Sequence, residues 1–348
     1  MSAAAGEGRA GGATGGGVSL AQRVFETLAD GAFHSGAALA ARLGLTRSAV
    51  WKAVGELRER GLEVQAVTNR GYRLAAPRVP LDAGRILAAL APATRARVRR
   101  CEVAWQLGST NSELLARPPP EPGRCDVLLA EFQSAGRGRH ARRWVAPPGG
   151  AICLSVSWAF AALPPGSGAL SLAMGVAALE ALATLGELPV GLKWPNDLLA
   201  GARKLGGMLL EMRSEGGGPA LLVFGIGLNV ALGSEARAGI AALGQAATDL
   251  AELGVAHCDR NALAAALVDA AVGAFERFER EGFAAFIERW QRADLLRGES
   301  VSLTGAGGNA EFTGRAAGVD ADGALLVETP SGLRRFSSGE VSVRSRPD

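Results

Sequence analysis

The spacing of apolar side chains divides the chain into unlike stretches. Residues 1–17 are almost all Gly, Ala, Ser or Thr, with too few apolar groups to offset ordering entropy, which predicts a disordered tail. From Val18 the pattern changes, and Val24, Phe25 and Leu28 recur at helical spacing. Ser35 is placed to cap a second helix over 36–43 that stops at Gly44. Thr46 is placed to cap a third, running to about Arg60 and ended by Gly61. Two helices joined at Gly44-Leu45-Thr46 predict a helix-turn-helix whose third helix is the recognition helix. Strands at 62–67 and 72–74, around Thr68-Asn69-Arg70-Gly71, predict a hairpin wing with a basic tip. This first domain spans 18–76.

A proline-rich stretch, Ala76-Pro77-Arg78-Val79-Pro80, then reads as a linker, assigned to 77–82, with Asp82 capping the next helix. Residues 83–296 mix strands and helices, which argues for α+β. Strands are predicted at 103–107, 127–132, 151–158 and 220–230, with a hairpin over 198–200 and 204–212 around Gly201-Ala202-Arg203. Residues 113–117, 170–188 and 261–290 read as helical, the last with Leu263, Leu267, Val272, Phe275, Phe278, Phe283 and Phe286 as core. Residues 297–348 change to short strands at 300–303, 310–319, 324–328, 333–337 and 340–343, with turns at Asp322-Gly323 and Ser331-Gly332. A small SH3-like β-barrel fits that pattern.

Composition narrows the function. A net charge of +3 on 348 residues is mild, so any nucleic-acid contact must be local. Cys101, Cys125, Cys153 and Cys258 are scattered without metal-ligand spacing and fit a reducing cytoplasm as small buried residues. With only His34, His140 and His257, a histidine-built metal site is not expected. No signal-peptide pattern opens the chain, and 170–188 contains Ser171 and Glu180, so it reads as a buried helix and not a membrane span. The expectation is a soluble cytoplasmic protein with no membrane partner.

Candidate chemistry concentrates in Gln133-Ser134-Ala135-Gly136-Arg137-Gly138-Arg139-His140-Ala141-Arg142-Arg143-Trp144. Four arginines in twelve residues cannot be a buried strand, because their charge would go uncompensated. Glycine freedom and arginine forks suit a loop closing over phosphate or carboxylate oxygens. A solvated basic loop or a nucleic-acid patch is the alternative. Ser109-Thr110-Asn111, at a strand-to-helix junction, offers hydroxyl and amide groups to a helix terminus or to a polar ligand. Lys193 ends an apolar strand before Trp194-Pro195-Asn196-Asp197, so its ammonium either meets an anion in a pocket or snorkels to solvent. In Gly225-Ile226-Gly227-Leu228-Asn229, small residues would let a ligand or a second backbone approach a strand. In the recognition helix Arg47, Ser48, Trp51 and Lys52 are placed to reach bases or phosphates, joined by Arg70 of the wing; Trp51 reads equally well as core.

Together these motifs resemble the bifunctional biotin–protein ligases that also repress the biotin operon. The resemblance covers about residues 18–346. It rests on Gly71-Tyr72-Arg73-Leu74, Ser109-Thr110-Asn111, Gln133 with Gly136-Arg137-Gly138-Arg139, and Lys193-Trp194-Pro195-Asn196-Asp197. Arg203-Lys204-Leu205-Gly206-Gly207, Gly225-Ile226-Gly227-Leu228-Asn229 and Asp259-Arg260-Asn261 complete it, in the family's order and spacing. It implies an N-terminal winged helix-turn-helix, a central mixed-sheet α+β catalytic domain like those of class II synthetases, and a C-terminal SH3-like domain.

The implied activity joins biotin to ATP as biotinyl-5′-AMP and transfers biotin to a lysine of the biotin carboxyl carrier protein of acetyl-CoA carboxylase. Biotinyl-5′-AMP would also serve as corepressor, favouring a homodimer on operator DNA. Lys193 and Arg139 carry the catalytic roles in this resemblance. Ser109, Thr110, Asn111 and Gln133 would hold biotin's ureido group and carboxylate. Gly136, Arg137, Gly138, Arg142, Trp144, Asn196, Gly206 and Asn229 complete the biotin and adenylate site. Mg²⁺ accompanies ATP, with ligands the resemblance does not name. Two departures stand out: Ala141 replaces a glycine common in the family, which implies a stiffer loop. The family's adenine-covering loop, here 233–249, lacks the tryptophan some members carry, with Ala247 about where it would be. The resemblance also leaves two competing readings: a biotin sensor without catalysis, disfavoured by Lys193, Arg137 and Arg139, and a ligase whose winged helix binds no operator. Lipoate ligase, a related fold, lacks the winged helix and the Lys-Trp-Pro-Asn-Asp run.

Overall fold

A computed structural model of the chain describes residues 18–139, 142–214, 219–255, 257–305, 311–337 and 341–345, with 305, 311 and 341–345 described by backbone alone. The predicted tail at 1–17 lies outside them.

The N-terminal helices are α1 (Leu20–Leu28), α2 (Gly36–Leu43) and α3 (Arg47–Glu59). Each begins on a side-chain oxygen that accepts an otherwise orphaned amide: Ser19 from Gln22, Ser35 from Ala38 and Thr46 from Ala49, at 3.1–3.2 Å. Gly44, left-handed at φ 63°, closes α2 and begins the turn into α3. The wing strands β1 (Val64–Val67) and β2 (Gly71–Leu74) pair antiparallel, and Asn69 takes the left-handed turn position at φ 62°. Strand β1 starts two residues later than predicted. Leu62 packs into the helical core with Val24, Phe25, Leu28, Val54 and Leu57, while Glu63 turns toward the next domain.

Next come α4 (Ala83–Ala89), α5 (Pro92–Arg97), β3 (Val98–Leu107), α6 (Thr110–Ala116), β4 (Cys125–Gln133) and β5 (Ala151–Phe160). They are followed by α7 (Leu170–Ala183), β6 (Gly191–Lys193), β7 (Asp197–Ala200), β8 (Arg203–Ser214), β9 (Ala220–Asn229) and α8 (Ser234–Ala242). The strands make one seven-stranded sheet in the order β3-β4-β5-β9-β8-β7-β6, with β3 parallel to β4 and the other pairs antiparallel.

Side chains alternate across a strand, so each strand serves two faces. Ile152, Leu154, Val156, Trp158 and Phe160 of β5, with Leu222, Phe224, Ile226 and Leu228 of β9, pack into the large core beneath α7 and α9 (Arg260–Glu281). The ring of Trp158 stacks on Phe275 at 5.6 Å. The opposite face bears α6, packed through Leu114 on Leu128, Leu221 and Val223. Beyond α6 that face carries small residues, and a cavity opens over them.

The helix predicted at 261–290 is interrupted. Gly282, at φ 64°, stops α9, and a short 3-10 turn leads to α10 (Ile287–Ala293), with Phe283 and Phe286 still buried. The strands β10 (Ser300–Gly305), β11 (Glu311–Val319), β12 (Leu325–Thr329), β13 (Gly332–Phe336) and β14 (Val341–Ser345) form an antiparallel sheet in the order β13-β12-β11-β10-β14. Its outer strands do not pair among the described residues, so the predicted SH3-like barrel is seen here as an open sheet. Four of the five β13 residues are exposed, as an uncovered edge requires. The indole N–H of Trp194 donates to Gly323 O at 3.0 Å, tying this sheet to the strand-end turn at 194–197.

The stretch after β2 is held along its length. Glu131 and Arg260, both nearly inaccessible, pair at 2.8 Å. Arg260 also donates to Val79 O and Ala151 O, and Glu131 accepts the amides of Leu81 and Gly149. Asn261 adds bonds to Pro80 O and from the Asp82 amide. A buried ion pair persists when its remaining hydrogen-bonding positions are filled, and here backbone fills them. Further contacts join the two domains: Phe25 lies 5.3 Å from Trp105, and Arg60 donates to Gln106 at 2.9 Å.

Candidate active site

The floor of the cavity follows from β-strand alternation. Cys153, Ser155, Gly225, Gly227 and Asn229 share a face with α6 because they alternate with the core residues. Two glycines there are required sterically. A Cβ on Gly225 would stand 2.1 Å from Asn111 Oδ1, and one on Gly227 would stand 2.4 Å from the Trp144 ring. Asn111 and Trp144 therefore lie flat on the sheet.

Ser109 caps α6 and also lines the cavity. Gln133 Oε1 accepts the amide of Thr110 at 2.8 Å and its hydroxyl at 3.2 Å. Ser155 Oγ lies 2.7 Å from Thr110 Oγ1 and 2.6 Å from Asn111 Oδ1. These buried polar groups form one network beside the cavity, suited to a neutral ligand rich in amide groups.

The arginine segment folds back as a narrow loop. Gly138 donates to Arg142 O at 2.7 Å and Trp144 to Gly136 O at 2.9 Å, and Arg137 bridges Arg143. Arg137, Gly138, Arg139, Arg142 and Trp144 line the cavity. Gly136 does not; it is buried, and a Cβ there would meet Trp144 O at 2.6 Å, so its part is to let the loop close. Ala141 lies outside the described residues. The segment borders a cavity and keeps Arg137 and Arg142 partly in solvent. Burial pushes the Arg139 guanidinium below its ordinary pKa, Asp197 opposing and Arg142 reinforcing the shift. Under the flap, burial pushes the Cys153 thiol up to about 11 against the smaller pull of Trp144 and Gln133, so it stays protonated.

Lys193 ends β6, and its side chain lines the same cavity together with Asn196. Asn196 is fixed by its Nδ2 donating to Met208 O at 2.5 Å and by the Met208 amide donating to its own carbonyl at 2.9 Å. Gly206 faces away from the ligand space: its missing Cβ leaves room for Gly227 O and two leucines, and Gly207 is the glycine on the cavity wall. Asn229 lines a smaller adjoining cavity with Trp144, Lys204, Leu243 and Ala247, and its Nδ2 donates to Thr248 O at 3.0 Å. Residues read as a loop at 233–249 contain α8, whose Ile240 supplies apolar wall there.

Besides Gly207 and Ile240, the structure adds polar contributors to which sequence reasoning gave no site role. Asp197 and Lys204 pair at 2.7 Å on the rim, Glu211 meets Arg137, and Ser155 joins the polar network. Ser155 had a signal, a polar side chain inside an otherwise apolar strand; Glu211 had none.

A second surface lies 18–76. Arg47, Ser48, Trp51 and Lys52 are all exposed on α3, with Trp51 at 66%, so Trp51 is a surface residue and not core. Ser48 shares a 3.0 Å contact with the cap hydroxyl of Thr46. Arg70, at the wing tip, stacks on Phe33 at 4.1 Å.

A helix-turn-helix module thus precedes a mixed sheet whose polar cavity is lined by Lys193 and the arginine segment. Comparison with known proteins names the class. Residues 21–73 match the HTH domain model, 108–229 the biotin/lipoate A/B protein ligase family, and 298–344 the biotin protein ligase C-terminal domain. The chain is 38% identical to the bifunctional ligase/repressor BirA of Salmonella typhimurium over 92% of its own length and 97% of that protein's. It is 36% identical to the biotin–[acetyl-CoA-carboxylase] ligase of Mycobacterium tuberculosis over 70% of this chain and 88% of that one. The structure of biotin protein ligase from Aquifex aeolicus in complex with biotin and ATP matches at a TM-score of 0.60 and 27% identity, covering 71% of this chain and 100% of that one. The chain belongs to the family of bifunctional biotin–protein ligases and biotin operon repressors.

Proposed function

We propose that this chain activates biotin with ATP, transfers it to a carrier-protein lysine, and represses transcription when loaded with biotinyl-5′-AMP. The observation that carries the reading is the meeting of Lys193 and Arg139 in one cavity with the polar network of Thr110, Asn111 and Gln133. In the first step a biotin carboxylate oxygen attacks the α-phosphorus of ATP; the bond to the bridging oxygen breaks and pyrophosphate leaves. In the second the neutral ε-amine of the carrier lysine attacks the acyl carbon; the C–O bond to AMP breaks, and an amide, AMP and a proton result.

Lys193 acts by placing positive charge against the carboxylate and α-phosphate oxygens, where negative charge builds in the transition state. Arg137, Arg139 and Arg142 hold the phosphate and keep water from the anhydride, with the Gly138 amide closing the loop on Arg142 O. Ser109, Thr110, Asn111 and Gln133 orient biotin, and Trp144 walls the pocket. Asn196 positions Lys193, while Asn229, Ile240 and Ala247 border the adenine side. Mg²⁺ would enter as the companion of ATP's phosphates, coordinated mainly by phosphate and water.

The acceptor is the biotin carboxyl carrier protein of acetyl-CoA carboxylase. The open C-terminal sheet, SH3-like in this reading, helps engage ATP and the carrier. The winged helix at 18–76, joined at 77–82 to the catalytic domain at 83–296 and the C-terminal domain at 297–348, binds operator DNA. One winged helix covers little DNA, so binding calls for a homodimer matched to a two-fold site, formed when adenylate orders the flap. The reaction belongs to the cytoplasm; no helix among the described residues is long and apolar enough to cross a membrane. Incubation with ATP, Mg²⁺, biotin and a carrier domain should leave covalent biotin on one carrier lysine; an unlabelled carrier refutes the proposal.

A further inference from the structure

Glu211 belongs to none of the roles assigned above. On β8 it pairs in register with Val223, which puts it on the cavity face. There a single carboxylate touches both walls. Its Oε2 accepts from Asn111 Nδ2 at 3.0 Å, and both oxygens accept from Arg137 Nη2 at 3.1 Å. The same Nη2 donates to Ser112 Oγ at 2.8 Å. The guanidinium's hydrogen bonds to described residues all leave from that one nitrogen, so the fork is held there by a corner.

We propose that Glu211 is a positioning residue that latches the arginine flap to the wall of the biotin pocket. The inference rests on the ligase reading. A carboxylate suits the task because a charge-assisted bond is stronger than a neutral one. Arg137 and Glu211 keep 43% and 25% of their side-chain surface exposed, so solvent screens the pair. A latch of that strength biases the flap shut and still opens for biotin to enter and the carrier lysine to reach the anhydride. Because Asn111 shares the carboxylate, a filled biotin pocket and a closed flap are coupled through one side chain.

The test compares wild type, Glu211→Gln, Glu211→Ala, Arg137→Gln and the Glu211→Gln/Arg137→Gln double variant. It follows pyrophosphate release and the share of adenylate that reaches the carrier or escapes to solvent. In Glu211→Gln the escaping share should rise roughly two- to fivefold, the factor carried by a part-exposed pair, while pyrophosphate release stays within about twofold of wild type. Glu211→Ala should leak more than Glu211→Gln, which keeps one acceptor. The double variant should leak no more than Arg137→Gln alone. A merely structural role would slow both steps together and leave the partition unmoved. An unchanged partition in Glu211→Gln, or effects that multiply in the double variant, would overturn the latch while leaving the ligase reading intact. A wild type that labels no carrier would end both.

Discussion

Arg47 and Lys52 stand on the exposed face of α3, whereas Arg139 and Lys193 stand inside a walled cavity. The residue types are the same, and the surroundings decide what they can do. On the helix the cations face bulk water, where attraction to a polyanion is summed over many contacts and screened by salt. In the cavity burial already presses on the Arg139 guanidinium, so the site favours any ligand that brings negative charge. Convex and wet suits reading a duplex; concave and enclosed suits stabilising charge that forms during a reaction.

The largest test of this contrast is Lys193→Ala. It should lower carrier biotinylation roughly a hundred- to thousand-fold, the scale for removing one preorganised transition-state contact, with the circular dichroism spectrum and melting midpoint retained. Near-wild-type turnover removes Lys193 from the chemistry. Next in size, Arg139→Gly should release adenylate and label bystander lysines about tenfold over wild type, the factor for losing one charged hydrogen bond of roughly 1.5 kcal/mol from the shielding loop. Bystander labelling no greater than wild type rules the shielding role out. On the convex side, Arg47→Ala and Lys52→Ala should each weaken operator binding and reduce the slope of log affinity against log salt by about one. Biotinylation should be untouched in both, and a gel shift insensitive to biotin and ATP would separate the DNA-binding surface from the ligase cycle.

The smallest effect concerns the bridge between the two regions. Glu63, just ahead of the wing, accepts the amide of Glu235 at 3.1 Å and the hydroxyl of Ser234 at 2.8 Å, at the start of α8. The Glu235 amide holds its carboxyl below the usual range, with Ser234 and Arg78 aiding and burial opposing. A group with a depressed folded pKa stabilises above the ordinary carboxylate range, and that contribution fades as pH falls through the folded value. Hydrogen-exchange protection across 234–242 should therefore decline on acidification in wild type and lose that dependence in Glu63→Gln. The same pH profile in both proteins would show that Glu63 does not hold this helix.

Much of the fold is legible in the sequence because its signals are local. Ser35, Thr46 and Asp82 cap helices by reaching three residues ahead, and Gly44 turns the chain at its own φ, so a sequence displays both. The order of the arginine flap, the Lys193 turn and the Gly225–Gly227 strand was likewise visible, because each motif carries its own backbone requirement. Tertiary structure decided what depends on distant partners. Helix α8 has no cap of its own and takes one from Glu63, 171 residues earlier, so nothing in 233–249 announced it. Strand register, set by pairing, put Gly207 on the cavity wall and turned Gly206 into the sheet. Glu211 meets Arg137 across 74 residues. An ion pair between strand and flap is a property of the packed chain, and no local pattern encodes it.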